Sequence, residues 1–496
     1  MAGLYNPIRD EENMKKARAS PDAYAWNWIN PFVKGLKKTW ADYGLYSVYP
    51  SIEDMLIDSE LCGSRQRELT FSMVRSNPKI NGYSLTSMID GYEGEGIMDN
   101  FREFKPSNLP VLQAGWAPLR WCLFVNPTNA YADRPLHVKV AIANEDCLPA
   151  GPYPATLKIS GAQGAVWTSR VTVRVPEGRD PPLAYTLLDQ DITIPGLSAG
   201  TYTLEATLDQ GKNAASNTLC FIVTSREDFP DHLGRITVLG VAPNVRDFLA
   251  GRGADVHDYA EGESIDREVI VIGSSFTGNA AAWRALYARI ARGAHAVFLS
   301  PRVFGFDTHL WTLGWMPIKW LAVGRTTYLK NGKHGVVNVR EWTCDNPADR
   351  DQWLYENRID EKEWLYHREI VAKNVPAFAG LQPKLMTPDY YGDLLATGTY
   401  FDAIAIPDET DAVAFRLGMD NAPWSYVDGV VLGTYRHHAG HFTINGFDLL
   451  GHLGNPAADR LLLNLVVDAK SDAAALQPLP AGYEVEMDSF GFRDPL

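Results

Sequence analysis

The chain has 496 residues, 46% of them hydrophobic and 21% charged, which suits a globular protein of three or four domains. Its net charge of -14 excludes nucleic acid as an expected partner, because a phosphate backbone demands a basic surface. No apolar run approaches the roughly 18 residues of a membrane span, and the first residues lack the apolar core of a secretory signal, so no membrane contact and a cytoplasmic location are expected.

Residues 1 to about 78 read as helices and connectors. One helix is expected from near Asn30 to Tyr43, halted by Gly44, and a second begins at Ser51, with Asp54 in the position of a capping acid. Ile52, Met55, Leu56, Leu69 and Met73 keep to one helical face, and Pro78 predicts its end. A strand is expected over 80–86, where Ile80, Tyr83 and Leu85 are the apolar members. It leads through Thr86, Ser87 and Asp90 into a glycine-punctuated acidic loop holding Glu93, Glu95 and Asp99. Arg102 and Lys105 close the segment. A strand delivering polar residues into a long loop is how a (β/α)8 barrel builds an active site. An ordinary strand with a solvated acidic turn accounts for the same letters.

The wording of this segment resembles the last barrel strand of glycoside hydrolase family 2, the β-galactosidase, β-glucuronidase and β-mannosidase types. Gly82-Tyr83-Ser84-Leu85-Thr86-Ser87-Met88-Ile89-Asp90 matches the strand, with Thr86 where better-known members carry the sugar-stacking Trp. Gly96-Ile97-Met98-Asp99 and Arg102-Glu103-Phe104-Lys105-Pro106 match the exit. Gly3-Leu4-Tyr5-Asn6-Pro7 resembles a phrase that follows the family's strand-seven nucleophile. The resemblance implies that residues 1–107 are the closing part of a barrel whose nucleophile and acid/base glutamates lie upstream of Met1. The chain by itself is then expected to be inactive, with no catalytic residue of its own. Thr86, Asp90, Glu93, Glu95, Arg102 and Lys105 become the substrate-binding candidates. Ion pairing at a barrel rim explains the charged ones equally well.

From 108 to 225, alternating runs such as Leu136–Ile142, Thr168–Val175 and Thr201–Ala206 predict an antiparallel β-sandwich of immunoglobulin-like type. From 226 to 475 the pattern becomes β and α in alternation: Ile236–Gly240, a helix at 244–251, Val269–Ile272, a helix at 279–292 and His295–Ser300. This predicts a doubly wound parallel sheet, similar to the class I glutamine amidotransferase-like fold. No cysteine lies between 220 and 344 to act as that family's nucleophile, so the fold is expected without the chemistry. A tryptophan-rich insertion at about 305–385 reads as packed loop or interface, and strands resume at Ala412–Leu417 and Gly429–Thr434 before a helix at 456–467. The tail, 476–496, carries no recognisable signal.

The five cysteines form no ligand spacing, and His437, His438 and His441 straddle a glycine turn, so neither a metal nor another cofactor is expected. The fold class expected is therefore multidomain α/β plus β: a barrel remnant, a sandwich and an amidotransferase-like domain. Two functions compete: a part of a retaining glycosidase that needs an upstream barrel polypeptide, or a non-catalytic oligomerisation or carbohydrate-binding module. Expected partners are a carbohydrate and either that polypeptide or further copies of the chain.

Overall fold

The computed structural model describes residues 5–80, 82–85, 87–90, 94, 96–178, 181–210, 212–263, 265–276, 278–300, 303, 325–330, 333–338, 368–395, 401, 406–420 and 422–489. It is a mixed α/β protein with several sheets. Among the described residues, no helix is long and apolar enough to cross a membrane.

The chain opens with three helices, α1 (Pro7–Lys16), α2 (Trp26–Asp42) and α3 (Ile52–Arg75). Asn6 caps α1, its side chain accepting from the Arg9 amide. The expected stop after α2 is present, with Gly44 in the left-handed region at φ 65°. Ser51 does sit at the start of α3, but its hydroxyl makes no capping bond.

Among the described residues of 80–86 the expected strand is not formed: Ile80 and residues 82–85 lie outside any ladder. Its apolar residues fall at spacings of three and two, which no pleated strand can direct to one face. Tyr83 and Leu85 instead pack as loop residues against Phe71, Ile97 and Leu112, the last of these on α4 (Asn108–Gly115).

Strands β1 (Leu119–Asn126), β3 (Leu136–Asn144) and β6 (Ala184–Ile192) form one sheet. Strands β2 (Asn129–Tyr131), β4 (Gly151–Gly161), β5 (Gly164–Val175), β7 (Gly200–Leu208) and β8 (Thr218–Thr224) form another, in the order β2-β8-β7-β4-β5. Their inward residues share one core that joins Trp121, Val138 and Ile142 to Leu157, Leu204 and Phe221. The period-two alternation explains both sheets.

A nine-stranded sheet organises the remainder. Five strands run parallel: β9 (Gly234–Leu239), β10 (Ala254–Asp258), β11 (Val269–Ile272), β12 (His295–Phe298) and β19 (Gly440–Asn445), in the order β10-β9-β11-β12-β19. The sheet continues antiparallel through β18 (Ala422–His437), β17 (Glu409–Asp420), β15 (Arg368–Ala372) and β16 (Lys384–Leu385). A separate hairpin pairs β13 (Arg325–Lys330) with β14 (Lys333–Asn338). The end of the expected insertion is thus sheet, not loop. Trp342, Trp353 and Trp364 lie outside the described residues.

Side-chain alternation gives this sheet its two covers. Val269 and Val271 join α5 (Pro243–Ala250) and α7 (Pro456–Asp472) in one core, whereas Ile270 and Ile272 meet α6 (Ala280–Ala291) on the other face. Asn455 caps α7 by accepting from the Ala457 and Ala458 amides. The tail also has structure: α8 (Tyr483–Ser489) buries Tyr483 and Met487 beside α6.

The antiparallel half is covered by the N-terminal helices. Phe32, Leu36 and Trp40 of α2 and Met55 and Leu56 of α3 share a core with Val371, Val413, Phe415 and Leu417. Trp40 packs edge-on to Phe415 at 5.5 Å and donates its indole N–H to the Tyr49 carbonyl. Thr39 bonds the Tyr426 hydroxyl at 2.5 Å and donates to Asp428. Gly35 stands where a Cβ would fall on the Tyr426 ring. Gly35→Ala is therefore expected to loosen this docking by about 1–3 kcal/mol, read as a lower urea midpoint.

Candidate functional site

The site candidates are read from α3 outward. The buried stripe of this helix, Ile52, Met55, Leu56, Ser59, Glu60 and Ser64, carries one charged side chain among its apolar and hydroxyl members. Glu60 receives a two-pronged contact from Arg9 of α1, Nη1 to Oε1 at 3.1 Å and Nη2 to Oε2 at 2.8 Å. Burial nonetheless pushes the Glu60 carboxyl upward, because desolvation opposes charge more than the guanidinium restores it. Arg9 also reaches Asp99, at 4.0 Å.

The described residues among 88–108 lie beside this helix and form a knot of short backbone bonds. The Asp90 amide donates to the Met98 carbonyl at 2.9 Å, Met98 donates to Met88 at 3.0 Å, and Lys105 donates to Ile97 at 3.2 Å. Gly96 makes the crossing possible, since a side chain there would fall on the Asp90 backbone. Ser87, Arg102 and Ser107 all take left-handed backbone conformations, so the knot stores strain that its contacts must offset.

Inside the knot, Lys105 Nζ donates to Asp90 Oδ1 at 2.6 Å and to the Gly94 carbonyl at 2.7 Å. Both side chains are almost wholly enclosed, at 2% and 1% exposed. The Gly96 amide adds a second bond to Asp90 Oδ1, at 3.0 Å. Desolvation still outweighs these contacts and raises the Asp90 carboxyl to about 7. Asp99 Oδ1 accepts from the Phe101 and Glu103 amides, each at 2.9 Å. Asn108 donates to the Ile97 carbonyl and accepts from Ser64 of α3.

The six candidate residues therefore separate. Asp90 and Lys105 come together as a buried pair, and Lys105 faces its own loop, away from solvent. Arg102 is exposed on the turn between Asp99 and Glu103. Thr86, Glu93 and Glu95 lie outside the described residues. Sequence reasoning passed over Arg9, Asp10, Glu60, Asn100 and Asn108. A charged residue on the apolar stripe of α3 was the one available signal.

The amino-terminal phrase reaches the same place. The Tyr5 hydroxyl donates to Asp10 Oδ2 at 2.7 Å, and Asn100 donates to that same oxygen at 2.5 Å. Tyr5, Arg9 and Asp10 thus join the exit segment 96–106 to α1. Four buried carboxylates, Asp10, Glu60, Asp90 and Asp99, share one junction with the buried Lys105 and the partly exposed Arg9.

Among the described residues, no group of three or more His, Cys, Asp or Glu side chains is arranged to hold a metal ion. The His437 ring meets that of Tyr287 at 4.8 Å, tilted by 49°, His438 bonds Glu486 of α8 at 2.9 Å, and His441 lies against His295. A cleft of about 610 Å³ opens elsewhere, beside the sandwich, lined by Asp133, Leu197, Arg226 and Asp228. None of the six candidates lines it.

No protein-family model matches the chain, and no curated protein sequence matches it. Solved structures overlap it only in part. The alkylpurine DNA glycosylase AlkC of Pseudomonas fluorescens, bound to DNA with an abasic-site analogue, is 13% identical over 24% of this chain and 34% of its own, with a TM-score of 0.16. The 272–376 domain of a cell surface protein from Methanosarcina acetivorans is 18% identical over 22% of this chain and 91% of its own, with a TM-score of 0.16. A β-glucuronidase of Parabacteroides merdae with glycerol in its active site is 12% identical over 36% of this chain and 33% of its own, with a TM-score of 0.15. Overlaps this slight carry no argument about function.

Proposed function

We propose that this chain is the C-terminal part of a retaining glycoside hydrolase of β-galactosidase type, acting on O-glycosidic bonds. Its catalytic glutamates come from a preceding segment or a partner polypeptide. One observation carries this reading. Tyr5, from the amino-terminal phrase that resembles the glycosidase family, and Asn100, which lies between the two exit phrases, bond a single Asp10 carboxylate at 2.7 and 2.5 Å. Segments about ninety residues apart in the chain thus share one junction.

The distribution of exposed apolar residues supports the same reading. Nine of the seventeen exposed large apolar side chains among the described residues fall between 69 and 116, Met73, Met88, Phe104 and Trp116 among them. Exposed apolar residues so frequent in one stretch suit a segment that another part covers.

In a retaining mechanism two carboxyl groups about 5–5.5 Å apart act as nucleophile and acid/base. Asp90 is spoken for by Lys105 and the Gly96 amide, so its task is to fix the loop. Glu93, Glu95, Thr86 and Arg102 are left to meet sugar hydroxyl groups. The test is co-expression with the polypeptide encoded immediately upstream, followed by an aryl-glycoside screen. Turnover by the pair supports the proposal. A complex that forms yet cleaves no glycoside rejects it and selects the second reading, a non-catalytic assembly module, which the exposed apolar residues of 69–116 also favour.

A further inference from the structure

Both sheets of the sandwich end, on one flank, in a strand with an open edge. Among the described residues β5 pairs only with β4, and β6 only with β3. The two edge strands lie against each other across the sandwich. The connection between them, 176–183, is shorter than β5 itself, so the chain reverses and β6 runs antiparallel to β5. Each strand leaves a row of backbone N–H and C=O groups that no described residue pairs, the usual template for adding a further strand.

The two edges carry opposite charge. β5 holds Arg170 and Arg174 and no acid, whereas β6 holds Asp189 and Asp191 and no base. Val173 and Val175 are buried in the core, so Arg170 and Arg174 stand on the outer face of their sheet. Leu188 and Ile192 pack inward, so Asp189 and Asp191 stand on the outer face of the other. Across the ladder Arg170 faces Thr156 and Arg174 faces Pro152, and no carboxylate pairs with either guanidinium among the described residues. Asp189 and Asp191 meet His137 and Lys139 of β3 but stay 45% and 70% exposed. The irregularity in the β3–β6 register falls at Val140 and Ala141, clear of the stretch that bears the acids.

We propose that this flank is the interface of a two-fold dimer of the chain. A two-fold axis running along the flank, parallel to the strands, lays β5 beside β6 of the second copy and β6 beside its β5. The operation preserves strand direction, so both new pairs are antiparallel. It also turns the outer faces of the two joined sheets to the same side, where Arg170 and Arg174 meet the aspartates of the second copy. Pairing β5 with its own copy would instead set arginines against arginines.

Sedimentation velocity is expected to show a dimer at about 100 μM chain in low salt, weakened severalfold by salt. Arg170→Glu with Arg174→Glu makes both edges acidic, and Asp189→Arg with Asp191→Arg makes both basic. Each double variant is expected to dimerise at least about tenfold more weakly than the wild type. Mixed in equal amounts, the two are expected to form a heterodimer, because every acidic edge then meets a basic one. A wild-type chain that stays monomeric, a double variant that dimerises as tightly as the wild type, or a mixture that does not associate overturns the proposal. Where a variant fails to fold, hydrogen exchange of the wild type decides. Amides of 164–175 and 184–192 lose protection on dilution under the proposal, and exchange independent of concentration overturns it. Glycoside turnover enters none of these readouts.

Discussion

Lys105→Met is expected to destabilise the protein by about 3–5 kcal/mol, measured by urea unfolding near pH 8. The substitution keeps the length and much of the volume of the side chain, so packing changes little. It removes the ammonium that faces Asp90 at 2.6 Å, leaving a carboxylate that is 1% exposed with only the Gly96 amide for company. Because burial already raises Asp90 to about 7, the variant can recover part of the loss by protonating it. The penalty should therefore shrink at about pH 5. Asp90→Asn combined with Lys105→Met should recover stability at pH 8 as well. A loss under about 1 kcal/mol for the single variant at pH 8 would show that this pair does not hold the knot.

The second large effect belongs to Asp411, at the start of β17. It is 6% exposed, and burial, Asp468, Glu409 and Asp472 raise its carboxyl to about 8 against the weaker pull of Lys373. Asp468 is raised to about 6 for related reasons. The folded state thus holds a proton on Asp411 that the unfolded chain gives up near pH 4. Its contribution to stability is fully present below about pH 4 and is lost as pH rises through about 8. Asp90 and Glu369, both raised to about 7, act in the same direction. Asp411→Asn should raise stability at pH 8 by on the order of 2 kcal/mol and leave it nearly unchanged at pH 4. The measurement is a series of urea midpoints from pH 4 to 8. An unchanged slope in the variant would remove Asp411 from the explanation.

The local physics of the helices and sandwich was written in short stretches, and those elements were readable. Gly44 ends α2 because it alone takes the left-handed stop cheaply, and Pro78 lies just beyond α3. β10 escaped notice because its five residues, Ala254–Asp258, are only partly covered and carry little apolar signal. β15 escaped notice because it is short and its alternation, Ile370 and Ala372 against Val371, serves two different cores.

The strand read at 80–86 failed for the opposite reason. A resemblance in letters outweighed spacing that no pleated strand could use, and Gly82 adds no side chain to pack. In the candidate site, Asp90 and Lys105 were visible because one short segment contains both. The Arg9–Glu60 contact spans 51 residues, so only the misplaced charge on the stripe of α3 hinted at it.

The most direct test of the whole account is the rate at which the purified chain, by itself, cleaves nitrophenyl β-galactoside. No rate above background is predicted, since Asp90 is sealed against Lys105 and the proposed reading takes the reacting glutamates from another segment. Turnover by the pure chain that disappears in Glu93→Gln or Glu95→Gln would contradict this, and would make one of those glutamates catalytic.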